Sequence, residues 1–317
     1  SMPFAHTSVE PDAGAGAQAR PARWRGKDTA IDTRYISMCR RKNGWRAMRT
    51  VAVENWEDFE ARLQEIKRTV KAGPVGLLFR GQADTSWSLS TTLERSRRRM
   101  ERVQDYYSII REIKPQIETF TDLSFDVPDF LELLPIVQEY DPFSRLMATG
   151  NLPCYRYMIY LRHHGFPTPL LDWSRSPYVA AYFAFAKAST QKVSIYVFAE
   201  QPENVKVRGA SGPAIYSFGP LVRSHRRHFL QQSTYTICAR FELPPAGDTG
   251  WKFASHEDVF LQNDAHQDLL WKFVIPSAER ITVLRHLEEY NLNALSLFGT
   301  EESLLETLAI RMMDFRA

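Results

Sequence analysis

Three separated segments of the chain carry polar side chains that could act on a ligand. In the first, "VGLLFRGQ", an apolar strand-like run ends at Arg80 and Gly81. A guanidinium offers a planar fork of N–H donors that suits a phosphate or a carboxylate. A glycine at a strand end lets a ligand approach the backbone closely. The segment predicts an anion-binding arginine; the alternative is an arginine that closes the strand end by pairing with a nearby acid.

The second segment, residues 162–186, reads "RHHGFPTPLLDWSRSPYVAAYFAFA". Its polar side chains surround a short extended run: His163, His164, Asp172 and Ser174. The run leads to a helix N-terminus at Ser176, where backbone N–H groups attract anions. Asp172 lies between a leucine and a tryptophan, so we expect it to be partly buried and to need a partner. That partner is Arg80, His163 or a ligand.

The third segment, residues 223–237, reads "RSHRRHFLQQSTYTI" and places Gln231 and Gln232 just before a predicted strand. An amide side chain both donates and accepts hydrogen bonds, so it could hold a sugar hydroxyl or a carboxamide. It could equally cap the strand or solvate a loop.

The sequence lacks the motifs of several common functional classes. It contains no GxGxxG, Walker A, HExxH, CxxC or GxSxG pattern. The three cysteines, Cys39, Cys154 and Cys238, are scattered and lack metal-ligand spacing. We therefore predict no metal site, no disulfide and a reducing compartment. With no long apolar run and no apolar leader segment, we expect a cytoplasmic protein without a membrane partner.

The positive charge is concentrated near the start of the chain. Residues 20–49 contain ten Lys or Arg against Asp28 and Asp32, with Trp24, Tyr35 and Trp45 interleaved. Such an arm could lie along phosphates and stack bases, which makes nucleic acid a possible partner. It could also be a solubilising or core-wrapping extension. We divide the chain into a disordered tail (1–22), a basic arm (23–51) and a folded domain (52–317).

The hydrophobic pattern predicts a mixture of helices and strands. Helical spacing covers residues 56–70 and 98–120, and prolines divide residues 127–162 into short helices. An apolar helix follows Ser176, and two more begin at Ser277 and near Thr300. Strands are predicted at "VGLLF" and from Val193, Thr234 and Leu269. Because the elements lack a regular βαβ alternation, we predict an α+β fold.

The quoted segments together resemble a known family. "LLFRGQADTSWSLSTTLER" resembles the opening signature of the FRG domain family, named for Phe-Arg-Gly, here residues 79–81. "HHGFPTPLLDWSRSPYVAAYFAFA" is similar to the long central motif of that family. "FLQQSTYT" and "LSLFGTEESLLETLA" resemble its later segments, so the resemblance covers roughly residues 52–312. Arg162 stands where the family usually has glutamine, and Pro169 where it usually has arginine.

The order of these motifs looks like the three-part layout of ADP-ribosyltransferase folds, which bind NAD in a split sheet. The resemblance implies a mixed split β-sheet core surrounded by helices, with NAD as the substrate. By this analogy Arg80 holds the NAD diphosphate, residues 172–174 frame the nicotinamide ribose, and Gln231 replaces the usual glutamate. The residues implied to contact NAD are Arg80, Gly81, Gln82, His163, Thr168, Trp173 and Ser174.

Two functions are compatible with this resemblance. The first is NAD-dependent ADP-ribosyl transfer to a nucleic acid or protein, with bacterial defence or stress as its expected setting. The reaction builds positive charge on the ribose, which a neutral amide stabilises poorly. Asp172 is therefore the carboxylate expected to stabilise this charge or to act as base beside Gln231, with Glu301 as a second candidate. The alternative is a noncatalytic module that senses a nucleotide or nucleic acid.

Overall fold

The computed structural model describes residues 48–73, 75–97, 100–200, 212–243, 249–262 and 268–316. The predicted tail, Cys39 and residues 23–47 of the predicted arm lie outside these ranges. The last residues of the predicted arm belong to the sheet, because Met48–Ala52 form strand β1. This strand pairs in parallel with a strand near the other end of the chain.

The first helix shows how local sequence sets an element. Helix α1, Trp56–Thr69, buries Trp56, Phe59, Leu63 and Ile66, which recur at helical spacing on one face. Asn55 caps the helix, since its side chain accepts a 2.9 Å hydrogen bond from the backbone N–H of Asp58. The sequence predicts both the helix and its cap, and both are confirmed.

Eight strands form one mixed sheet. After β1 they are β2 (Leu77–Gln82), β3 (Leu171–Ser174), β4 (Lys192–Glu200), β5 (Ala214–Phe218), β6 (Ser233–Glu242), β7 (Gly250–Phe253) and β8 (Asp268–Pro276). The order across the sheet is β1-β8-β4-β2-β3-β6-β5, and β7 also pairs with β6. Only β1 and β8 run parallel within the described residues. The predicted α+β class is confirmed, whereas β1, β5 and β7 were not predicted.

Eleven α-helices surround this sheet in the described ranges. After α1 they are α2 (Val103–Thr121), α3 (Phe130–Gln138), α4 (Tyr140–Ala148), α5 (Tyr155–His163), α6 (Pro177–Phe185), α7 (Arg226–Leu230), α8 (His256–Gln262), α9 (Arg280–Glu289), α10 (Ala294–Phe298) and α11 (Glu301–Ala309). A 3-10 turn, Ser277–Glu279, precedes α9, and a π-helical turn, Ile310–Asp314, follows α11. The short helices α7, α8 and α10 carry too few turns to show a periodic pattern, and they were not predicted.

Three hydrophobic clusters pack around the sheet. One joins helices α2–α5 to β5, β6 and β7, and a second joins α1, α6, α9 and α10 to β2, β4 and β8. The third lies under α8. Helix α6 is apolar all round and is buried except at Tyr178 and Phe183, as its sequence predicts.

The middle of the sheet is nearly divided between β2 and β3. These strands pair at a single position, Phe79 with Ser174. In contrast, β2 pairs with β4 over its whole length, and β3 does the same with β6. Beyond the Phe79–Ser174 pair no further ladder joins β2 to β3, and the candidate site lies at this gap.

Candidate functional site

A cavity of about 850 Å³ opens beside the single β2–β3 pair. This volume lies in the range of small-molecule and cofactor sites. Eight of the predicted site residues line it: Arg80, Gly81, Gln82, His163, Asp172, Trp173, Ser174 and Gln231. The fold therefore brings together three segments that are far apart in sequence.

Arg80 lies inside a strand, so its predicted position at a strand end is wrong. The backbone of residues 80–82 continues the ladder with residues 194–196 of β4. On the other edge of β2 the ladder stops after Phe79, and the Arg80 side chain crosses the gap. Its Nη1 donates a 2.8 Å hydrogen bond to the Asp172 carbonyl and lies 4.0 Å from Asp172 Oδ2.

Asp172 is held mainly by a residue that the sequence analysis did not name as its partner. Arg162, near the end of α5, donates from Nε to Asp172 Oδ1 at 3.2 Å and from Nη2 to Oδ2. Both carboxylate oxygens are therefore engaged by one guanidinium fork. Of the two protein partners considered for Asp172, Arg80 lies beside it, whereas His163 Nε2 lies near the Tyr235 hydroxyl. The sequence signal that could have identified Arg162 as this partner was its position where the resemblance to the family implies glutamine.

The cavity carries more positive than negative charge. Its cationic side chains are Arg80, Arg95, Arg162, Lys187 and Arg227, and its carboxylates are Asp172 and Glu306. Burial lowers the pKa of Arg80 to about 10, a change that Asp172 opposes and that Arg162 and Arg95 reinforce. Arg80 remains charged at neutral pH, and the cluster favours an anionic ligand.

Gly81 lines the cavity and also serves packing against α6. A Cβ on Gly81 would lie 1.9 Å from the Ala180 carbonyl oxygen and 2.7 Å from the Ala184 nitrogen. These atoms belong to the backbone of α6. The glycine therefore lets α6 lie directly on β2, and its predicted contact with a ligand stays a prediction.

Two predicted contact residues act mainly on the neighbouring loops. The Nε2 of buried Gln82 donates a 3.1 Å hydrogen bond to the Ser88 carbonyl, which fastens the loop that carries Trp87. Thr168 is buried and does not line the cavity. Its backbone N–H donates to Thr92 Oγ1 at 3.0 Å, and its carbonyl accepts from Leu93 at 3.1 Å. The predicted ligand contact at Thr168 is therefore replaced by a link between two chain segments.

Residues 173 and 174 tie β3 to its surroundings. Trp173 donates from Nε1 to Thr236 Oγ1 at 2.9 Å, and its ring stacks on Phe198. Ser174 donates from Oγ to the Gln231 carbonyl at 2.8 Å. Gln231 ends α7 and donates from Nε2 to the Leu297 carbonyl at 3.2 Å. The Gln231 amide nitrogen is thus already used within the protein.

His163 belongs to a chain of hydrogen bonds at the cavity wall. Its Nε2 lies 3.0 Å from the Tyr235 hydroxyl, which lies 3.4 Å from His228 Nδ1. His228 Nε2 is 2.8 Å from the Pro220 carbonyl, so it must donate there and leave Nδ1 as an acceptor. Burial lowers the pKa of His163 to about 4, and this side chain is neutral at pH 7.

Glu306 is a cavity carboxylate that the sequence analysis missed. Its Oε1 accepts a 3.1 Å hydrogen bond from the Tyr182 hydroxyl of α6. The predicted second candidate, Glu301, opens the same helix, α11, but does not line this cavity. Several glutamates occur in α11, and the sequence carries no signal for which of them faces the site.

Aromatic side chains line the mouth of the cavity. Trp87 is 54% exposed. Phe183 and Phe298 meet edge to face with ring centroids 5.9 Å apart, and the Arg227 guanidinium lies 5.5 Å from the Phe298 centroid. Exposed rings next to cations suit a ligand that combines planar rings with negative charge.

Other site types are not found in the part of the chain that the structure describes. No group of three His, Cys, Asp or Glu side chains there could hold a metal ion. Among the same residues, no helix combines the length and the hydrophobicity that a bilayer crossing requires.

Comparison with known proteins gives one match. Residues 76–193 match the family model of the FRG domain. The matched range runs from the residue before β2 into β4 and includes Arg80, His163 and residues 172–174, but not Gln231 or Glu306. No curated protein and no solved structure matched the chain.

Proposed function

This chain is an FRG-domain protein, and from that premise we propose that its cavity binds NAD and transfers ADP-ribose to a macromolecular acceptor. The observation that carries the proposal is the charge of the cavity. Three guanidiniums, those of Arg80, Arg95 and Arg162, contribute to one cavity with Asp172 as the carboxylate among them. A diphosphate supplies the negative charge that this cluster lacks, and guanidinium forks suit its oxygens.

The motif order supports a dinucleotide in particular. The arginine strand β2, the strand β3 with Asp172, and Gln231 shortly before β6 meet at one gap in the sheet. This arrangement agrees with the three-part layout expected from the resemblance to ADP-ribosyltransferases. The cavity volume and the rings at its mouth also suit a ligand with two bases.

Catalysis of the transfer needs a carboxylate near the ribose, and Glu306 meets this need better than the predicted residues. Asp172 has both oxygens engaged by Arg162, and Gln231 is uncharged. In the proposed reaction the bond from ribose C1 to nicotinamide breaks, and nicotinamide leaves with the electron pair. The acceptor forms the new bond to C1 and gives its proton to the Glu306 carboxylate.

A noncatalytic nucleotide sensor is the second candidate. The engagement of Asp172 by Arg162 and of Gln231 by Leu297 favours it, because both predicted catalytic side chains already serve structural contacts. In that case the same cavity binds the nucleotide without releasing nicotinamide.

The test uses labelled NAD with protein, DNA and RNA offered separately, and it follows nicotinamide release and label incorporation. Wild type is compared with Arg80→Ala. The control is Arg62→Ala, because Arg62 is an exposed arginine on α1 that pairs with Asp58 away from the cavity. Incorporation that is lost in Arg80→Ala and kept in Arg62→Ala supports the transferase. Full turnover by Arg80→Ala overturns it, and NAD binding without turnover on any acceptor favours the sensor.

A further inference from the structure

A basic and aromatic surface lies beside the mouth of the cavity, on α7 and the residues around it. We call it the rim patch, and its members are Arg175, Leu221, Arg223, Arg226, Arg227 and Phe229. We propose that the rim patch binds single-stranded nucleic acid and presents one nucleotide to the cavity as the acceptor. The acceptor role rests on the proposed function, whereas the binding itself does not.

The arginines of the patch have no ion-pair partner among the residues that the structure describes. In contrast, Arg240 and Arg311 each lie within 4.0 Å of a carboxylate. The sequence around the patch contains no Asp or Glu between Glu203 and Glu242. An extended surface of unpaired guanidiniums is the expected footprint of a phosphate backbone.

Two acids approach the patch from α11. Glu301 lines a surface groove together with Arg226. Hydrogen bonds with the backbone and with Thr300 lower the pKa of Glu302, and the nearby Arg227 charge lowers it further. Two carboxylates facing four guanidiniums leave the surface positive, so a polyanion remains the complementary partner.

Exposed apolar side chains distinguish a nucleic acid from an acidic protein. Phe229 is 59% exposed and Leu221 is 97% exposed, next to the arginines. An aromatic ring beside cations offers a base a stacking surface, and stacking on such rings tolerates any base sequence. Bases that are already unpaired can reach it, which favours a single strand over a duplex.

The patch is continuous with the cavity. Arg227 belongs to both the rim patch and the cavity lining, and it lies four positions before Gln231, which also lines the cavity. The ring of His225, which caps α7, lies 6.1 Å from the ring of His163, a cavity residue. A strand that crosses the patch therefore passes within reach of the site where C1 of the ribose would react.

The test measures fluorescence anisotropy of labelled 12-nucleotide single strands, RNA and DNA in separate arms, with the full chain. Arg223→Glu/Arg226→Glu should weaken binding at least tenfold. The slope of log affinity against log salt should fall by about 1.4, since each lost phosphate contact on a single strand contributes about 0.7. Lys67→Glu/Lys71→Glu reverses two exposed cations at the end of α1 and should change affinity less than twofold.

Phe229→Ala should weaken binding about fivefold without changing the salt slope, because stacking releases no counterions. A change of less than twofold in Arg223→Glu/Arg226→Glu would overturn the proposal. So would competition by polyglutamate as strong as competition by unlabelled oligonucleotide. Arg80→Ala should keep oligonucleotide affinity, so a failure of NAD turnover and a failure of the rim patch give different results.

Discussion

Arg80 and Asp172 are 92 positions apart in the chain, and Arg80 Nη1 donates a 2.8 Å hydrogen bond to the Asp172 carbonyl across the gap between β2 and β3. A side chain of β2 thus contacts the backbone of β3 beyond the single Phe79–Ser174 pair. Arg162 holds the Asp172 carboxylate at the same time. One acidic residue therefore orients two guanidiniums toward the cavity.

Removal of Asp172 should destabilise the protein as well as alter the site. Asp172→Ala leaves Arg80 and Arg162 without their counter-charge, and we expect the free energy of unfolding to fall by about 2 kcal/mol. The double variant Arg162→Gln/Asp172→Ala should cost less than the sum of the single changes, because it also removes one repelling cation. Denaturant unfolding of the four proteins measures this coupling. Strict additivity would show that the two side chains do not support each other.

Gly81→Ala should disrupt the contact between β2 and α6. The added Cβ would lie 1.9 Å from the Ala180 carbonyl oxygen, so we expect a loss of about 3 kcal/mol or more in unfolding free energy. Gly219→Ala is the matched control, because nothing lies within 4 Å of a Cβ there. The free energy of unfolding of Gly219→Ala should stay within about 1 kcal/mol of the wild-type value. Equal unfolding midpoints for the two variants would contradict the packing role of Gly81.

His163, the partly buried histidine of the cavity, should make stability depend on pH. The pKa of His163 is lowered from 6.5 to about 4 by burial, so between these values the unfolded chain binds more protons than the folded protein. Stability should therefore fall as the pH is lowered from about 6.5 to 4. Fully buried His256, whose pKa burial lowers to about 3, acts in the same direction.

His163→Gln should flatten this dependence by up to about 1.4 kcal/mol per pH unit. Unfolding midpoints between pH 4.5 and 7.5 provide the measurement. The control is His164→Gln, which changes the exposed neighbouring histidine that does not line the cavity. An unchanged slope in His163→Gln would mean that this histidine does not resist protonation in the folded protein.

The proposed catalytic role of Glu306 can be tested against Glu301, a second glutamate on the same helix α11. Glu306→Gln should lower NAD turnover by about 10²- to 10³-fold while NAD affinity changes less than threefold, because the amide loses the charge that acts on the transition state. Glu301→Gln removes a charge outside the cavity and should retain turnover. Calorimetric affinity and nicotinamide release measure the two effects. Similar turnover in both variants would remove Glu306 from the mechanism.

Much of the fold could be predicted from local patterns. The spacing of Trp56, Phe59 and Leu63 predicts α1, and the apolar run after Ser176 predicts a buried helix. Both predictions succeed because the number of buried helix faces determines how apolar residues are spaced along the sequence. The motifs around Arg80 and residues 172–174 likewise indicated the FRG domain, and both motifs lie within the residues that match the family model.

The tertiary structure decided which of these residues meet and what each one does. Arg162 pairs with Asp172, Gly81 receives the backbone of α6, and Glu306 reaches the cavity in place of Glu301. Each of these results depends on strand register or on the rotation of a helix against a distant segment. Local sequence specifies the periodicity of an element but not the partner it packs against, and so the chemistry of the site emerged only when the segments were assembled.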